Sequence, residues 1–438
     1  MHETTVHLGL GSNLGDRRAH LEAALAALGA VPGIAVVAVS SFRETDPQGS
    51  GPAQGRFLNG AAELRTTLPA HALLAVCKAL ESKAGRVLPA PRGAARPLDL
   101  DIVFFGDEVI DSKDLVVPHP RWHEREFVRE PLRELGVDLE AAPRRSGPQV
   151  CAGTAEFAAL CSRWQGGGCL TGLVPTMGAL HAGHKSLMEI ARAECDRVAV
   201  TIFVNPLQFG PHEDFAAYPR DLAADVKLCA EAGVDAVFAP DVGQMYDPGF
   251  CSHVAVGAAA QTMEGAIRPD HFRGVATVVA RLFAISRPHR AYFGEKDAQQ
   301  LAVIRRMTKD LGFPIRVVGC PIVREADGLA LSSRNVYLGA EDRAASTVLH
   351  RALLSARLQF QRGETDRDAL VARARAVLAS EPRAAVEYVE LRREGDLAVL
   401  GPGPVPGGRL LVAAKFVDGV RPVRLLDNLS LAPAVGEP

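Results

Sequence analysis

Two groups of residues in this 438-residue chain have types and spacings that could do chemistry. The first is Asp99-Leu100-Asp101. Side chains alternate along a strand, so both carboxylates would share one face while Leu100 points into a core. Two adjacent acids repel and are stable mainly with a cation between them. Mg2+, which prefers oxygen ligands, is the natural candidate. An exposed strand with incidental acids is the plainer reading, but the flanking Leu98, Ile102, Val103, Phe104 and Phe105 point to a buried strand. Arg86, Arg92 and Arg96 lead into it. Solvated loop charge is the commoner meaning of such a set, yet arginine forks beside a two-acid metal site make a triphosphate cradle.

The second group is organised around Leu173-Val174-Pro175-Thr176-Met177-Gly178-Ala179-Leu180-His181-Ala182-Gly183-His184. An apolar strand breaks into a turn with two glycines and two histidines, then becomes helix-periodic through Leu187, Ile190 and Ala191. The turn therefore ends at a helix N-terminus, where free N–H groups and the helix dipole favour a phosphate. Gly178 and Gly183 allow close backbone approach, and His181 and His184, three apart, can face the same space. Two surface histidines in an ordinary connection, or two zinc ligands with a distant third such as His271, are the alternatives. Three other strand ends carry polar groups: Asn205-Pro206-Leu207-Gln208, Gly294-Glu295-Lys296-Asp297 with Gln299 and Gln300 beyond, and the 327–335 loop with Ser332, Ser333 and Arg334. Each alone could be a βα loop with capping residues. Together, a rim of His, Lys, Ser and Arg around a helix N-terminus suits a nucleoside triphosphate attacked at phosphorus.

Positioning these residues takes two kinds of scaffold. Residues 5 to 140 read βαββαβ, with strands at 6–10, 34–40, 57–64 and 98–105 and helices at 17–28 and 70–83. That is the ferredoxin-like plan, an antiparallel sheet with helices on one face. Residues 141–153 are Pro/Gly/Arg-rich and aperiodic, as a linker is. From 154, strands alternate with full helices, which predicts a doubly wound parallel sheet with its ligand at the strands' carboxyl ends. The G-x-G-x-x-G fingerprint of dinucleotide sites is absent, against a dehydrogenase. Helices at 343–363 and 367–380, strands at 386–391, 410–416 and 420–426, and a hairpin signal at Asp418-Gly419 make a smaller α+β domain. The expected fold class is thus multidomain, α+β followed by α/β.

Bulk properties agree. Hydrophobic residues are 47% and charged residues 23%, an ordinary globular profile whose length suits about three domains. A net charge of −2 argues against a general nucleic-acid binder and gives no reason to expect membrane association. No segment is long and apolar enough to span a bilayer, and Met1-His2-Glu3-Thr4-Thr5 has no basic region ahead of an apolar run. The eight cysteines lack metal-ligand spacing and read as reduced, in a cytoplasmic protein.

The first half resembles the hydroxymethyl-dihydropterin pyrophosphokinases. The likeness rests on Gly11-Ser12-Asn13-Leu14-Gly15, Phe57-Leu58-Asn59, Gly85-Arg86, Arg96-Pro97-Leu98-Asp99-Leu100-Asp101 and Val117-Pro118-His119-Pro120-Arg121, with Arg125 and Phe127 following. The resemblance implies Mg2+ on Asp99 and Asp101 and ATP phosphates on Arg86, Arg92, His119 and Arg125. It also implies a pterin pocket from Thr45 to Gln48 with Pro47, Asn59 and Phe127, the last stacking on the ring; Glu81 and Arg96 belong to the same implied set. The family usually reads R-W-G-P-R before the acids, where this chain has Arg92-Gly93-Ala94-Ala95-Arg96. The missing tryptophan bears on loop closure and turnover more than on the reaction.

The second half resembles pantothenate synthetases, of the HxGH nucleotidyltransferase group. Six motifs occur in order: Pro175–Gly178, His181–His184, Asn205–Gln208, His271–Gly274, Gly294–Asp297 and Leu331–Arg334. The resemblance implies a Rossmann-like domain with a smaller closing domain, and ATP bound by Met177, Gly178, His181, Gly183, His184, Gly294, Glu295, Lys296, Asp297, Val323, Leu331, Ser332, Ser333 and Arg334. It implies pantoate and β-alanine near Gln208 and Gln300, a catalytic set of His181, His184, Lys296, Ser332, Ser333 and Arg334 with His184 as proton donor, and Mg2+ with the phosphates. Expected domains are therefore 1–142, a linker 143–153, 154–325 and 326–438. The expected protein is bifunctional, acts on small molecules, binds neither nucleic acid nor membrane, and leaves room for a homodimer through the ligase part. The alternatives are an N-terminal half that is slow, or one that serves only as a docking module.

Overall fold

A computed structural model describes residues 3–46, 55–85, 95–112, 114–119, 122–142, 147–210, 215, 218–417 and 422–431. Pro47, Gln48, Arg86, Arg92, Gly93 and the Asp418-Gly419 hairpin lie outside the described residues. The chain divides into two compact units, Met1–Ser146 and Gly147–Pro438.

In the first unit the strands run Ile34–Val39, Phe57–Thr66, Thr4–Ser12 and Asp99–Phe105 across the sheet, every neighbouring pair antiparallel. Helices Arg17–Gly29 and Ala70–Lys83 close one face, packing Leu21, Leu28, Leu73 and Cys77 on Leu8, Leu10, Leu64, Leu100 and Ile102. This is the ferredoxin-like order. The first helix starts at Asp16, whose carboxylate accepts from Ala19 N at 3.0 Å, a side-chain N-cap. The expectation of helices on one face only needs correction. A third helix, Glu126–Glu134, sits on the opposite face, where Leu132 joins Trp122, Ala61, Val103 and Phe104. A register shift at His7/Leu8 opposite Phe104 and Ile102 interrupts strict alternation, so Val103 and Phe104 both join that second cluster. The remainder of the face carries Gly9, Gly11, Asp99 and Asp101.

The second unit holds a six-stranded parallel sheet. Its order is Arg316–Cys320, Arg290–Gly294, Thr171–Thr176, Arg197–Ile202, Ala236–Phe238 and Gln149–Cys151. Alternate residues feed two cores. Leu173, Ala199, Ala236 and Ala291 face helices Thr154–Gly166, His271–Ser286 and Ala298–Asp310. Val174, Val198, Val200, Val237 and Tyr292 face helices Ala182–Glu194 and Leu222–Glu231. The edge strand Gln149–Cys151 falls inside the stretch that composition marks as linker. Three residues are too few to carry a periodic signal, and only its place beside Ala236–Phe238 reveals it.

The strand order reverses between Thr171–Thr176 and Arg290–Gly294. These two pair only at Arg290↔Gly172 and Ala291↔Leu173 and part towards their carboxyl ends. Such a reversal opens a crevice at a topological switch point. Beyond it, helices Val348–Gln361 and Arg367–Ala379 pack on an antiparallel sheet of Ala384–Arg392, Arg409–Val417 and Pro422–Ser430. The single helix expected from 343 to 363 is two, Ala340–Ala345 and Val348–Gln361. Ser346 and Thr347 hydroxyls donate to the carbonyls of Arg343 and Ala344, both at 2.8 Å, and so compete with the helical ladder. Among the described residues no helix is long and apolar enough to cross a membrane.

Candidate active sites

The crevice between the splayed strands encloses a cavity of about 270 Å3. Its entry turn is held from below. Gly178 has φ +85°, and a Cβ there would lie 2.9 Å from Asp225 Oδ2, so only glycine fits. The Asp225 carboxylate accepts from Ala179 N at 3.1 Å and Leu180 N at 2.8 Å. It is 4% exposed, and burial raises its pKa.

His181 then caps the helix Ala182–Glu194. Its Nδ1 accepts from Gly183 N at 3.1 Å, and His184 Nδ1 accepts from His181 N at 3.3 Å. The pair is a reciprocal capping box built from imidazoles. With both Nδ1 lone pairs engaged, each neutral ring carries its proton on Nε2 and offers an N–H. The rings stand 4.1 Å apart, and a Cβ on Gly183 would meet His181 Cε1 at 2.9 Å. Burial lowers both pKa values. That of His184 is pushed down to about 3, with neighbouring His181 and Lys296 adding to the effect and Asp297 opposing it. At neutral pH these are uncharged donors.

The amide of Gln208 has a fixed sense. Asn205 Oδ1 accepts from Leu207 N at 3.2 Å and from the Tyr246 hydroxyl at 2.8 Å, while its Nδ2 donates to Gly274 O at 3.1 Å. Backbone groups thus dictate which end of Asn205 is which. Its Nδ2 also donates to Gln208 Oε1 at 3.1 Å, leaving Gln208 Nε2 towards Met177 Sδ at 2.8 Å. Gln208 therefore presents N–H to the cavity, as a carboxylate or hydroxyl oxygen requires. Helix His271–Ser286 can approach this strand end because residue 274 is glycine; a Cβ would lie 2.1 Å from Leu207 O.

Of the residues expected here, Met177, His181, Gly183, His184, Gln208, Gly294, Lys296, Asp297, Gln300, Val323, Leu331, Ser332, Ser333 and Arg334 all line the cavity. Gly178 shapes the turn instead, and Glu295 faces Arg409 at 3.2 Å. Sequence reasoning assigned no role to Asp225, Tyr218 or Arg268. Asp225 reads as an ordinary acid in the first turn of a helix, and Tyr218, whose hydroxyl bonds Ser333, lies in an aperiodic stretch. His271 is committed elsewhere than to zinc: its Nδ1 lies 2.9 Å from Gln208 O and its Nε2 3.3 Å from Arg268. Among the described residues no cluster of three His, Cys, Asp or Glu could hold a metal.

A second cavity, about 110 Å3, lies within the first unit over the open sheet face. Gly9 pairs with Asp101 and Gly11 with Asp99. The two glycines leave the floor bare beside the two acids: a Cβ on Gly11 would sit 3.1 Å from Asn59 Oδ1 and 3.6 Å from Asp99 Cβ. Thr45, Asp46, Phe57, Asn59, Arg96, His119, Arg125 and Phe127 are among the other lining residues. Asn59 Nδ2 donates to Thr45 Oγ1 at 2.7 Å, Arg96 pairs with Asp99 at 3.1 Å, and the Arg125 guanidinium stands 5.6 Å from the Phe127 ring centre. Asn13, which in the sequence reads only as part of a turn motif, grips the Arg96 backbone through Oδ1 at 2.7 Å and N at 3.1 Å. Glu81 does not line the cavity. It is 1% exposed and accepts from Leu100 N at 2.9 Å and Lys78 Nζ at 3.0 Å, tying down the edge strand that carries the acids. Two hard carboxylates with clear space across the strand suit Mg2+.

Comparison with known proteins bears on both cavities. The pantoate-beta-alanine ligase family model matches residues 149–430, and that of 7,8-dihydro-6-hydroxymethylpterin-pyrophosphokinase matches residues 7–137. A pantothenate synthetase of Roseiflexus sp. (strain RS-1) is 61% identical over 261 residues, covering 60% of this chain and 92% of that protein. Its counterpart in Thermus thermophilus is 53% identical, covering 60% and 93%. The crystal structure of pantothenate synthetase from Thermus thermophilus aligns with a TM-score of 0.61 at 48% identity, over 65% of this chain and all of that one. A pantoate-beta-alanine ligase from Francisella tularensis, complexed with beta-gamma ATP and beta-alanine, gives 0.52 at 29%, covering 66% and 99%. The chain belongs to the pantoate–β-alanine ligase family over residues 149–430 and carries ahead of it a hydroxymethyl-dihydropterin pyrophosphokinase domain, which makes it a bifunctional fusion of two ATP-using enzymes.

Proposed function

We propose that the crevice of the second unit joins pantoate to β-alanine through a pantoyl adenylate, and that the sheet face of the first transfers pyrophosphate from ATP to a hydroxymethyl-dihydropterin. The observation that carries the ligase assignment is convergence: His181, His184, Lys296 and Arg334 share one cavity with Gln208 and Gln300. The amide of Gln208, fixed as a donor, holds an oxygen of pantoate. A pantoate carboxylate oxygen attacks the α-phosphorus of ATP and pyrophosphate leaves. Lys296 and Arg334 supply positive charge, and the two Nε2–H groups supply neutral donors, where negative charge gathers on the phosphates. The β-alanine amine then attacks the acyl carbon, AMP leaves, and the amine gives up a proton. Charge on the bound phosphates favours the protonated imidazole, so His184 takes up its proton-donor role only once nucleotide is present.

Asp297 is the carboxylate among the described lining residues of this cavity, so a Mg2+ there would be held mainly by the nucleotide. In the first unit Asp99 and Asp101 would hold Mg2+, which when bound neutralises charge on the triphosphate. Around them, Asn59 and Thr45 orient the pterin, Phe127 offers it a stacking face, and Arg96, His119 and Arg125 hold phosphate oxygens. The pterin hydroxymethyl oxygen attacks the β-phosphorus, the hydroxyl gives up its proton to solvent, and AMP leaves. We place the two catalytic domains on either side of a junction near residue 146, with residues 326–438 closing over the ligase site.

Pantoate-dependent exchange of labelled pyrophosphate into ATP tests the ligase reading. Lys296→Ala should lower the exchange rate about 100-fold or more, and an unchanged rate removes Lys296 from adenylate formation. For the first unit, AMP release from ATP should require both the pterin substrate and Mg2+, and Asp101→Asn should abolish it.

A further inference from the structure

The turn that carries Lys296 is gripped from the C-terminal sheet. Asn428, on strand Pro422–Ser430, is 1% exposed, and its carboxamide donates to two successive carbonyls, Glu295 O at 2.9 Å and Lys296 O at 2.8 Å. The sense of that amide is forced. Arg409 Nη1 donates to Asn428 Oδ1 at 2.7 Å, and a guanidinium has no acceptor to offer, so the oxygen must face Arg409 and the NH2 must face the turn. Arg409 adds a second tie to the same turn through Glu295 Oε2 at 3.2 Å. The backbone of Asn428 is also engaged: its N–H donates to Asp427 Oδ1 at 2.7 Å, and its carbonyl accepts from Arg324 at 3.3 Å. No other strand of the C-terminal sheet reaches the 295–297 turn with a side-chain amide among the described residues.

We infer that Asn428, oriented by Arg409, is a positioning residue for Lys296, so that the C-terminal sheet sets where the lysine meets the nucleotide. This rests on the reading that Lys296 acts on ATP. The sheet does not depend on Asn428 for its docking. Arg324 pairs with Asp427 at 2.7 and 2.9 Å, and Arg424 grips Glu264 through two bonds of 2.6 Å, with the Tyr388 hydroxyl on Glu264 at 2.8 Å. Removing the carboxamide therefore loosens the turn, which keeps its Arg409–Glu295 contact, while these anchors hold the sheet in place. The two carbonyls at the start of helix Ala298–Asp310 lose a fixed partner, and Lys296 loses its register with the phosphates.

The test is a double-mutant cycle in the full-length chain, read by pantoate-dependent pyrophosphate exchange. Asn428→Ala should slow exchange about 100-fold, the scale on which a small displacement of a reacting group acts. The KM for pantoate should stay within about twofold, since Gln208 and Gln300 are untouched. In a Lys296→Ala background the same substitution should change the rate by no more than about twofold, because its effect passes through a lysine no longer present. A loss of similar size in both backgrounds marks a general structural role and overturns the inference, as does exchange at the wild-type rate in Asn428→Ala. Should Asn428→Ala not fold, Arg409→Met in the same cycle decides, with a smaller loss that again vanishes without Lys296. If Lys296→Ala alone exchanges normally, it is the role of Lys296 that fails, and the clamp has nothing to act through.

Discussion

His184 shows how a single residue's surroundings set its chemistry. Burial holds its pKa at about 3 in the folded chain, against an ordinary value of 6.5. An unfolded chain takes up this proton as pH falls through 6.5, whereas the folded chain takes it up only near 3. The unfolded state thus binds more protons between those limits, and stability is full above 6.5 and lost on acidification. One such group contributes a slope of about 1.4 kcal/mol per pH unit inside that window. His184→Asn keeps an acceptor for His181 N and removes the titrating ring. Denaturant unfolding of the second unit from pH 6 to pH 4 should give a shallower loss of stability in the variant by about that slope. Equal slopes would mean that the ring is not held neutral. The two histidines were visible in the sequence as a pair at a helix start. Their neutrality was not, because it comes from burial and from Lys296, more than a hundred positions away.

At the scale of elements, the turns and strand ends do the positioning. The 177–184 turn depends on Asp225, whose carboxylate serves two half-buried N–H groups, those of Ala179 and Leu180. Leaving them unsatisfied costs about 1–3 kcal/mol each. Asp225→Ala should therefore destabilise the second unit by roughly 2 kcal/mol or more in urea unfolding and raise the KM for ATP, whereas Asp221→Ala, which removes only the helix cap at Ala224, should leave the KM for ATP unchanged. In the first unit the bare floor opposite the acids is the comparable device. Gly11→Val suits a strand, so the fold should persist, but the side chain would fill space 3.1 Å from Asn59 Oδ1. Pterin pyrophosphorylation should drop about tenfold or more with the thermal transition retained; an unimpaired rate would show that substrate does not use this floor. Strand and helix periods were enough to place both scaffolds, since most of these elements are long and one-sided in their burial. Among the elements missed, the three-residue edge strand Gln149–Cys151 and the break at Ser346-Thr347 are too short to carry a period, whereas the helix Glu126–Glu134 is amphipathic but is masked by Pro131 within it.

At the scale of the whole molecule, each unit carries its own closed core. The clusters around Leu8 and Trp122 draw only on residues before 146, and those around Leu173, Val174, Met263 and Leu353 only on residues after it. Each candidate cavity is likewise lined entirely from within one unit. A domain kept only for docking would have no need of two crowded acids over a glycine floor, so the geometry of the first cavity favours a working site. These facts predict autonomy. Residues 1–146 and 147–438 expressed separately should each fold. The first should release AMP from ATP with the pterin substrate and Mg2+, and the second should form pantothenate from pantoate, β-alanine and ATP. Independent sites have additive free energies, so the rate per site should match the intact chain to within about twofold. A first half that binds the pterin but releases no AMP would reduce it to a binding module. A rate that drops on separation and returns when the halves are mixed would show instead that one site depends on the other unit, which neither closed core predicts.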